Sequence, residues 1–171
     1  MSNFKEDLTK IKAFVFDVDG VLSTEVLNLN TNGDPMRTVN IKDGYAIHMA
    51  IKSGFPIAII TGGDCENIKK RYERLGITDI YMSSFNKQER FNEWIKKRNI
   101  KADEVLYMGD DLPDYPVMKV VGVATAPSNA AEEIKSLCKY ISDRKGGEGC
   151  VRDVIEQVMR AQSKWSVDHE W

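Results

Sequence analysis

The chain has 171 residues, enough for one domain that buries about two thirds of its unfolded surface around a single core. Hydrophobic residues make up 42% and charged residues 29%, and the formal net charge is -2, which is typical of a soluble globular protein and gives no electrostatic reason to expect binding to nucleic acid or membrane. The apolar runs are too short to cross a bilayer and the acidic N-terminus lacks a signal-peptide core, so the sequence predicts a single cytoplasmic domain over residues 1–171.

Short apolar runs predict five buried strands along the chain. They cover residues 13–16, 56–60, 80–82, 105–108 and 122–124. Each run is followed by a turn signal, which is typical of parallel strands covered on both faces. Between the runs, apolar spacing predicts a helix from Asp43 to Gly54 and another that is capped by Asp64 and ends at Gly76. Three further helices are predicted around residues 91–95, 130–137 and 151–158.

This alternation predicts an α/β fold: a doubly wound, Rossmann-like parallel sheet with right-handed crossovers and helices on both faces. One segment interrupts it, because residues 25–39 contain Asn30-Thr31-Asn32-Gly33 between β-prone runs and therefore predict a small β-hairpin. A glycine-rich segment and a last helix are expected over residues 144–165. The sequence assigns no role to Trp165 or Trp171.

The cysteine pattern bears on redox compartment rather than on chemistry. Cys65, Cys138 and Cys150 form no CxxC pair and have no metal-ligand spacing, and their number is odd. Reduced thiols in a cytosolic protein are the expected reading.

Polar residues follow four of the predicted strands. They are Asp17 and Asp19, then Thr61 and Gly62, then Lys87, and then Asp110, Asp111 and Asp114. In open α/β sheets, ligands bind at the carboxyl ends of the strands, so these residues are expected at one edge. Each type suits phosphate chemistry, and their joint occurrence is stronger evidence than any single motif.

The acidic residues that follow the first and fourth strands would repel one another and raise one another's pKa. A divalent cation removes that conflict, and hard oxygen ligands without Cys or His favour Mg²⁺. The alternative is a set of solvated turn aspartates, since Asp is common in turns. An EF-hand calcium loop is excluded, because Leu22 stands where that loop requires glycine.

The acidic pair at the first strand also suggests a reaction. A carboxylate can attack phosphorus to form an aspartyl-phosphate, and a second carboxyl can protonate the leaving alkoxide and then activate water. Asp17 and Asp19 would share a face in an extended strand, which predicts nucleophile and acid/base in one site. Thr61, Gly62 and Lys87 are suitable stabilisers of the transferring phosphoryl group. Taken alone, a Thr-Gly turn is more often only a turn, and a lysine at a helix start only a surface charge.

These residues resemble the four motifs of the haloacid dehalogenase superfamily of phosphohydrolases. The motifs match, in order, Asp17-Val18-Asp19-Gly20, Thr61-Gly62, Lys87 and Gly109-Asp110-Asp111-Leu112-Pro113-Asp114. The resemblance implies that Asp17 is the nucleophile and Asp19 the acid/base. It implies that Mg²⁺ is held by the Asp17 carboxylate, the Asp19 carbonyl and Asp110, with Asp111 and Asp114 in supporting roles.

A closer resemblance covers nearly the whole chain and is to the phosphatases of 3-deoxy-D-manno-octulosonate 8-phosphate, which serve lipopolysaccharide biosynthesis. It rests on residues 17–22, 40–45 and 146–149. It implies a capless phosphoric monoester hydrolase, and a homotetramer in which a neighbour's hairpin closes each site. The implied substrate contacts are Asn40, Lys42, Asp43, Gly44 and Arg71. The implied lid over a neighbour's site is Gly146, Gly147, Glu148 and Gly149.

Two positions depart from that pattern, because many members have Arg where Gly63 and His48 stand here. Both bear on the substrate's carboxylate, so the sugar is less defined than the reaction. The spacing agrees with a capless enzyme: a hairpin fills the gap after the first motif, and one helix and one strand fill the interval from Thr61 to Lys87. The alternatives are a plain surface hairpin and, for the glycine run, a flexible connector.

Other functions remain open on the sequence. A response-regulator receiver domain also uses acidic residues, Mg²⁺, Thr and Lys on a parallel sheet, but its phospho-accepting Asp follows a middle strand, where this chain has Thr61. A non-catalytic phosphosugar-binding module is a second alternative. Within the phosphatases, a nonulosonate 9-phosphate is the rival substrate, because function resides in the site and not in the fold.

Overall fold

The structure is a computed structural model that describes residues 3–168, and within that range it has eight strands and seven α-helices. The strands are β1 (Ala13–Phe16), β2 (Asn28–Leu29), β3 (Pro35–Met36), β4 (Ile57–Ile60), β5 (Asp79–Tyr81), β6 (Val105–Met108), β7 (Val123–Ala126) and β8 (Tyr140–Ile141). The helices are α1 (Phe4–Leu8), α2 (Ile41–Lys52), α3 (Glu66–Arg74), α4 (Lys87–Arg98), α5 (Tyr115–Met118), α6 (Glu132–Leu137) and α7 (Cys150–Ala161). Short 3-10 helices lie at Ala102–Glu104 and Leu112–Asp114.

Six of these described strands form one parallel sheet in the order β5-β4-β1-β6-β7-β8. The first strand, β1, is interior: Phe14 pairs with Ile57 of β4 on one side and with Leu106 of β6 on the other. The order reverses direction around β1, so the loops after β1, β4 and β6 meet at one edge of the sheet. This topology confirms the predicted doubly wound α/β fold.

Side chains of the strands point alternately into two apolar layers. Phe14 and Phe16 of β1 lie on the face covered by α2 and α7. Val15 points to the opposite face, where Phe91 and Trp94 of α4 pack. Both faces are therefore covered, which explains why the strands are continuous apolar runs in the sequence.

The hairpin predicted over residues 25–39 is confirmed. Strand β2 pairs antiparallel with β3. The turn is closed by Asn30, whose side chain accepts two backbone N–H groups at 2.9 Å each, and Gly33 has a φ of +85°, which favours glycine. Val26 and Leu29 are 82% and 64% exposed, so the hairpin presents apolar side chains to solvent.

The C-terminal helix α7 is part of the core. Its residues Val151, Val154, Ile155 and Val158 are buried. The chain after it is fixed as well, because the Gln162 side chain donates to the carbonyls of Leu8 and Ile11 at 3.0 and 2.7 Å. The segment around α7 is thus a structural element.

Several short elements were not predicted. Helices α1 and α5 and strand β8 are too short to show a periodicity in the sequence. The prediction that Asp64 caps α3 is wrong, because the N-cap residue is Cys65. Among the described residues, the Cys65 side chain makes no capping hydrogen bond. Trp165 packs edge-on against Tyr45, with ring centroids 6.0 Å apart, whereas Trp171 lies outside the described residues.

None of the helices between residues 3 and 168 has both the length and the apolar character that a membrane span requires.

Candidate active site

A cleft of about 510 Å³ opens at the carboxyl edge of the sheet. Its lining contains every residue that the sequence assigns to catalysis, to metal binding or to their support. The lining residues are Asp17, Asp19, Gly20, Glu25, Thr61, Gly62, Gly63, Ser84, Phe85, Lys87, Asp110, Asp111, Pro113 and Asp114. The loops after β1, β4, β5 and β6 therefore bring the separate motifs into one site, as expected from the strand order.

Asp17 lies one residue beyond β1 and continues its pairing with β6, since its backbone N–H donates to the carbonyl of Met108. The residue is 6% exposed. One carboxylate oxygen accepts the N–H of Val18 at 2.6 Å, and the other contacts the Lys87 ammonium at 2.7 Å. Burial, followed by the negative charge of Asp114, raises the pKa of Asp17 to about 7, although Lys87 opposes the shift.

Lys87 is the first residue of α4, which is capped by the Asn86 side chain. It is 4% exposed, and its ammonium lies 2.7 Å from an oxygen of Asp17 and 2.7 Å from an oxygen of Asp114. Burial disfavours its charged form, but the two carboxylates outweigh burial and raise the pKa of Lys87. The site therefore holds a permanent cation beside Asp17.

Asp114 organises the loop after β6. Its Oδ1 accepts from Lys87 and from the Tyr107 hydroxyl, the latter at 2.6 Å, and its Oδ2 accepts the backbone N–H of Asp110 at 3.2 Å. Gly109 makes this possible, because a Cβ at that position would overlap the Asp114 side chain. Both oxygens of Asp114 are thus engaged by the protein itself.

Asp110 faces Asp17 across the cleft. Burial, then the charges of Asp17 and Asp114, raise the pKa of Asp110 to about 8. Gly20 allows this approach, since a Cβ on Gly20 would overlap the Asp110 carboxylate. Oxygens of Asp17, Asp110 and Asp114 all lie within 4.8 Å of one another.

These carboxylates fit a magnesium ion. Burial, and after it the charges of the neighbouring carboxylates, raises the pKa of both Asp17 and Asp110 despite the presence of Lys87, so a further cation would favour their ionised forms. Hard oxygen donors of this kind are those that Mg²⁺ takes. Asp114 already accepts from Lys87, Tyr107 and the N–H of Asp110, so Asp17 and Asp110 are the better candidates to hold the ion.

Asp19 lines the same cleft as Asp17, but the two residues do not lie on one extended strand. The strand β1 ends at Phe16, and the chain turns through Gly20, whose φ is +82°. As a result, Asp17 contacts Lys87, whereas the Asp19 carboxylate is bound by Arg37. The Asp19 side chain is 42% exposed and opens onto the cleft. Magnesium coordination by the Asp19 carbonyl stays a prediction.

Thr61 and Gly62 form the floor of the cleft after β4. Thr61 is 2% exposed, its hydroxyl accepts the N–H of Gly63 at 3.1 Å, and its carbonyl accepts the N–H of Ser84 at 2.9 Å. The loops after β4 and β5 are therefore tied together. No described atom lies within 4 Å of a Cβ built on Gly62, so the backbone there is open to a ligand.

The residues expected to touch the sugar do not line the cleft of the described chain. Asp43 is fully buried: its Oδ1 accepts the backbone N–H of Arg152 at 2.7 Å, and its Oδ2 has no hydrogen-bond partner among the described residues. Asp43 therefore serves the packing of this chain, and a contact between Asp43 and the substrate stays a prediction. The remaining contacts stay predictions: Asn40, Lys42, Gly44 and Arg71.

The glycine-rich segment packs under the first motif of its own chain. The N–H of Gly147 donates to the carbonyl of Val21 at 2.8 Å, and the N–H of Gly146 donates to the Asn129 side chain at 3.0 Å. A Cβ on Gly146 would overlap the carbonyl of Gly20. This close approach explains the glycines and argues against a flexible connector. The lid role over a neighbour's site, predicted for residues 146–149, stays a prediction.

Sequence reasoning missed Arg37. Its guanidinium makes two hydrogen bonds with Asp19, at 2.8 and 2.9 Å, and its side chain is 7% exposed. The sequence carries no signal for it, because Arg37 belongs to no motif and lies in a hairpin whose position over the sheet is set by tertiary packing.

Comparison with known proteins gives a consistent result. The sequence model of the family described as haloacid dehalogenase-like hydrolase matches residues 75–155. The chain is 37% identical over 154 residues to the 3-deoxy-D-manno-octulosonate 8-phosphate phosphatase KdsC of Escherichia coli (strain K12), covering 90% of this chain and 82% of that protein.

Solved structures are similar over almost the whole chain. The 3-deoxy-D-manno-octulosonate 8-phosphate phosphatase from Yersinia pestis superposes with a TM-score of 0.90 and 33% identity, covering 94% of this chain and 86% of that one. The enzyme of that name from Moraxella catarrhalis, crystallised with magnesium ion, phosphate ion and a KDO molecule, gives a TM-score of 0.89 and 31% identity, covering 93% and 91%.

Proposed function

The chain belongs to the haloacid dehalogenase-like hydrolase family, alongside its 3-deoxy-D-manno-octulosonate 8-phosphate phosphatases, and we propose that it hydrolyses this phosphomonoester to the free sugar acid and phosphate with Mg²⁺. One observation of this structure carries the proposal. The carboxylates of Asp17 and Asp110 lie together beside Lys87 at the carboxyl edge of the sheet, with raised pKa values that a cation would relieve. The ligands of the Moraxella catarrhalis enzyme support the same chemistry here.

In this proposal Asp17, Asp110 and the carbonyl of Asp19 would hold Mg²⁺, which would supply positive charge against the phosphoryl oxygens and the carboxylates. Lys87 adds a second cation, already held beside Asp17. Asp114 acts through Lys87 and through the N–H of Asp110, by fixing where these groups lie.

The first half of the reaction forms a covalent intermediate. A carboxylate oxygen of Asp17 attacks phosphorus, and the bond between phosphorus and the sugar oxygen breaks. Asp19 donates a proton to that oxygen, so the sugar leaves as an alcohol. The Thr61 hydroxyl, the Gly62 N–H and Lys87 bind phosphoryl oxygens as their charge is redistributed.

The second half returns the enzyme to its starting state. Asp19, now deprotonated, takes a proton from water as the water attacks phosphorus. The bond between phosphorus and Asp17 breaks, which releases inorganic phosphate and restores the Asp17 carboxylate. Since each proton given by Asp19 is regained, the cycle needs no other acid or base.

We further propose that the chain forms one domain over residues 1–171 and assembles as a homotetramer in which a neighbour's hairpin covers the cleft. Exposed apolar side chains support this arrangement: Val26 and Leu29 on the hairpin, and Phe85, which is 89% exposed at the cleft. An open cleft leaves phosphoryl transfer accessible to water, and a second subunit would restrict that access. A cytoplasmic location agrees with the three free cysteines at positions 65, 138 and 150, all within the described range.

Phosphate release from a panel of substrates tests the function. The panel contains the octulosonate 8-phosphate, a nonulosonate 9-phosphate and simple sugar phosphates, ranked by kcat/KM. We expect the octulosonate to rank first, and Asp17→Asn to remove turnover of every substrate. A nonulosonate in first place would replace the substrate and keep the mechanism. No turnover of any phosphomonoester, with Mg²⁺ bound, would favour a non-catalytic phosphosugar-binding module.

A further inference from the structure

Arg37 binds the carboxylate of Asp19 in a two-point arrangement. Its Nε donates to Oδ1 at 2.8 Å and its Nη2 donates to Oδ2 at 2.9 Å. Two parallel hydrogen bonds fix the plane of a carboxylate as well as its position. The guanidinium is sheltered from solvent while the carboxylate remains open to the cleft, with exposed side-chain fractions of 7% and 42%.

The backbone that carries Arg37 is joined to the backbone that carries Asp19. The N–H of Thr38 donates to the Ser23 hydroxyl at 2.9 Å, and the N–H of Thr24 donates to the Thr38 hydroxyl at 3.0 Å. The backbone of Asp19 in turn forms an isolated parallel β-bridge with the backbone of Ser23. The segment after β3 that carries Arg37 and the segment that follows the first motif are therefore joined by hydrogen bonds, so Arg37 is positioned before any substrate binds.

Gly63 provides the space for the guanidinium. A Cβ on Gly63 would lie 2.5 Å from Arg37 Nη2 and 3.2 Å from Asp19 Oδ2. Any larger residue at this position must displace the ion pair or be displaced by it. Arg37 donates both hydrogen bonds and its guanidinium stays protonated in proteins, so the partner of Asp19 is a permanent cation.

We propose that Arg37 is a positioning residue for the reaction: by holding both oxygens of Asp19, it aims that carboxylate at the leaving oxygen of the substrate. The proposal rests on the proposed function, in which Asp19 is the acid/base. Each carboxylate oxygen keeps a further lone pair beyond the bond to Arg37, so the ion pair leaves Asp19 able to exchange a proton. What it removes is rotation, and a misplacement of about 1 Å costs roughly 100-fold in rate. The hairpin segment that carries Arg37 thereby sets the orientation of the acid/base group.

Leaving groups of different acidity test this role. An alkyl phosphate, such as the sugar phosphate, needs a proton on its leaving oxygen, whereas p-nitrophenyl phosphate departs without one. We expect Arg37→Ala to lower kcat/KM for the alkyl phosphate by roughly 10- to 100-fold, which is less than the roughly 100- to 10,000-fold that a general acid contributes, because Asp19 itself is still present. For p-nitrophenyl phosphate, kcat/KM should change less than about threefold, since it reports only the steps through phosphoryl transfer.

A double-mutant cycle shows whether Arg37 acts through Asp19. Asp19→Asn should reproduce the leaving-group selectivity of Arg37→Ala, and the double variant should lose no more than Asp19→Asn alone. Arg37→Lys should recover only part of the alkyl rate, because an ammonium cannot bind both oxygens in plane. Gly63→Ala should resemble Arg37→Ala. Arg90→Ala is the matched control, because Arg90 forms an exposed ion pair with Glu93 and should keep the wild-type ratio.

Three results would overturn the proposal. An equal loss for both substrates together with a lowered melting temperature would make Arg37 a structural anchor of the hairpin. A raised KM for the sugar phosphate with unchanged kcat would make it a substrate ligand. Full additivity with Asp19→Asn would separate the two residues. The variant-to-wild-type ratio can be measured on any alkyl phosphate that the wild type hydrolyses, so a wrong sugar assignment would leave this test intact.

Discussion

We expect the buried carboxylate of Asp43 to make the free energy of unfolding depend on pH. It lies at the start of α2 and caps α7 from outside, because Gly149 precedes α7 without a capping side chain and Asp43 accepts the Arg152 N–H at 2.7 Å. Burial raises the pKa of Asp43 to about 6, although the N–H and the charge of Arg152 oppose the shift. Burial, and after it the negative charge of Asp43, raises the pKa of Tyr72 and of Cys150.

The direction in which stability changes with pH depends on whether the folded or the unfolded state binds more protons. The folded protein holds the Asp43 proton up to about pH 6, whereas the unfolded chain loses it near the usual aspartate pKa of 3.8. Between these two pH values the folded state binds more protons than the unfolded state, so the free energy of unfolding falls as pH rises. The whole loss in stability from ionising the buried Asp43 is present above the folded pKa. A shift of roughly two pKa units corresponds to about 3 kcal/mol, which is an upper value for a group with some residual solvation.

The perturbation is Asp43→Asn, which keeps an oxygen for the Arg152 N–H but carries no charge at any pH. We expect the variant to match the wild type near about pH 4 and to be more stable by about 2 kcal/mol above about pH 7. The assay is urea unfolding followed by tryptophan fluorescence, read as the difference between the two proteins at each pH so that the other carboxylates cancel. Identical pH slopes for both proteins would refute the reasoning. Asp43→Ala is the matched variant, expected to lose about 1 kcal/mol relative to Asn at every pH because the cap is missing.

Four further predictions concern the cleft and the hairpin. Lys87→Met should lower kcat/KM by at least about 100-fold and the free energy of unfolding by about 3 kcal/mol, because Asp17 and Asp114 are left buried without their cation. Steady-state kinetics measures the first effect and chemical unfolding the second, and a wild-type kcat/KM would contradict the role of Lys87. Gly109→Ala should cost about 1–3 kcal/mol of stability and reduce kcat, since the new methyl overlaps Asp114; an unchanged melting temperature would argue against that packing. Leu29→Glu should reduce the molar mass measured by light scattering, because a charge enters the proposed subunit contact; an unchanged mass would place the contact elsewhere. Chelation should stop turnover and added Mg²⁺ should restore it, whereas turnover unaffected by chelator would reject the metal.

The sequence predicts the sheet and the cleft because both follow from local signals. Apolar runs mark the strands, and parallel strands place their carboxyl ends at one edge, so Asp17, Thr61 and Asp110 had to converge once the strand order was right. The sequence identifies Gly20 and Gly109 only as members of the first and last motifs. The structure shows why glycine is needed there, because a side chain at either position would overlap a carboxylate.

The remaining features depend on contacts between distant residues. Arg37 is 18 residues from Asp19, and Arg152 is 109 residues from Asp43, so neither pair leaves a periodic pattern in the chain. The burial of Asp43 was not visible in the sequence either, and it shows that a residue beside a recognised motif can also serve the fold. The glycine segment at residues 146–149 was ambiguous for the same reason, since its close approach to Gly20 is visible only in three dimensions.

The central claim is that Asp17 becomes phosphorylated during turnover. Borohydride reduces an acyl-phosphate on aspartate to homoserine, so rapid mixing with Mg²⁺ and substrate, followed by quenching in borohydride and peptide mass spectrometry, reports the site directly. The account predicts homoserine at position 17 in the wild type, and no such product without substrate or in Asp17→Asn. Turnover without any modification at position 17, or modification at another aspartate, would contradict it.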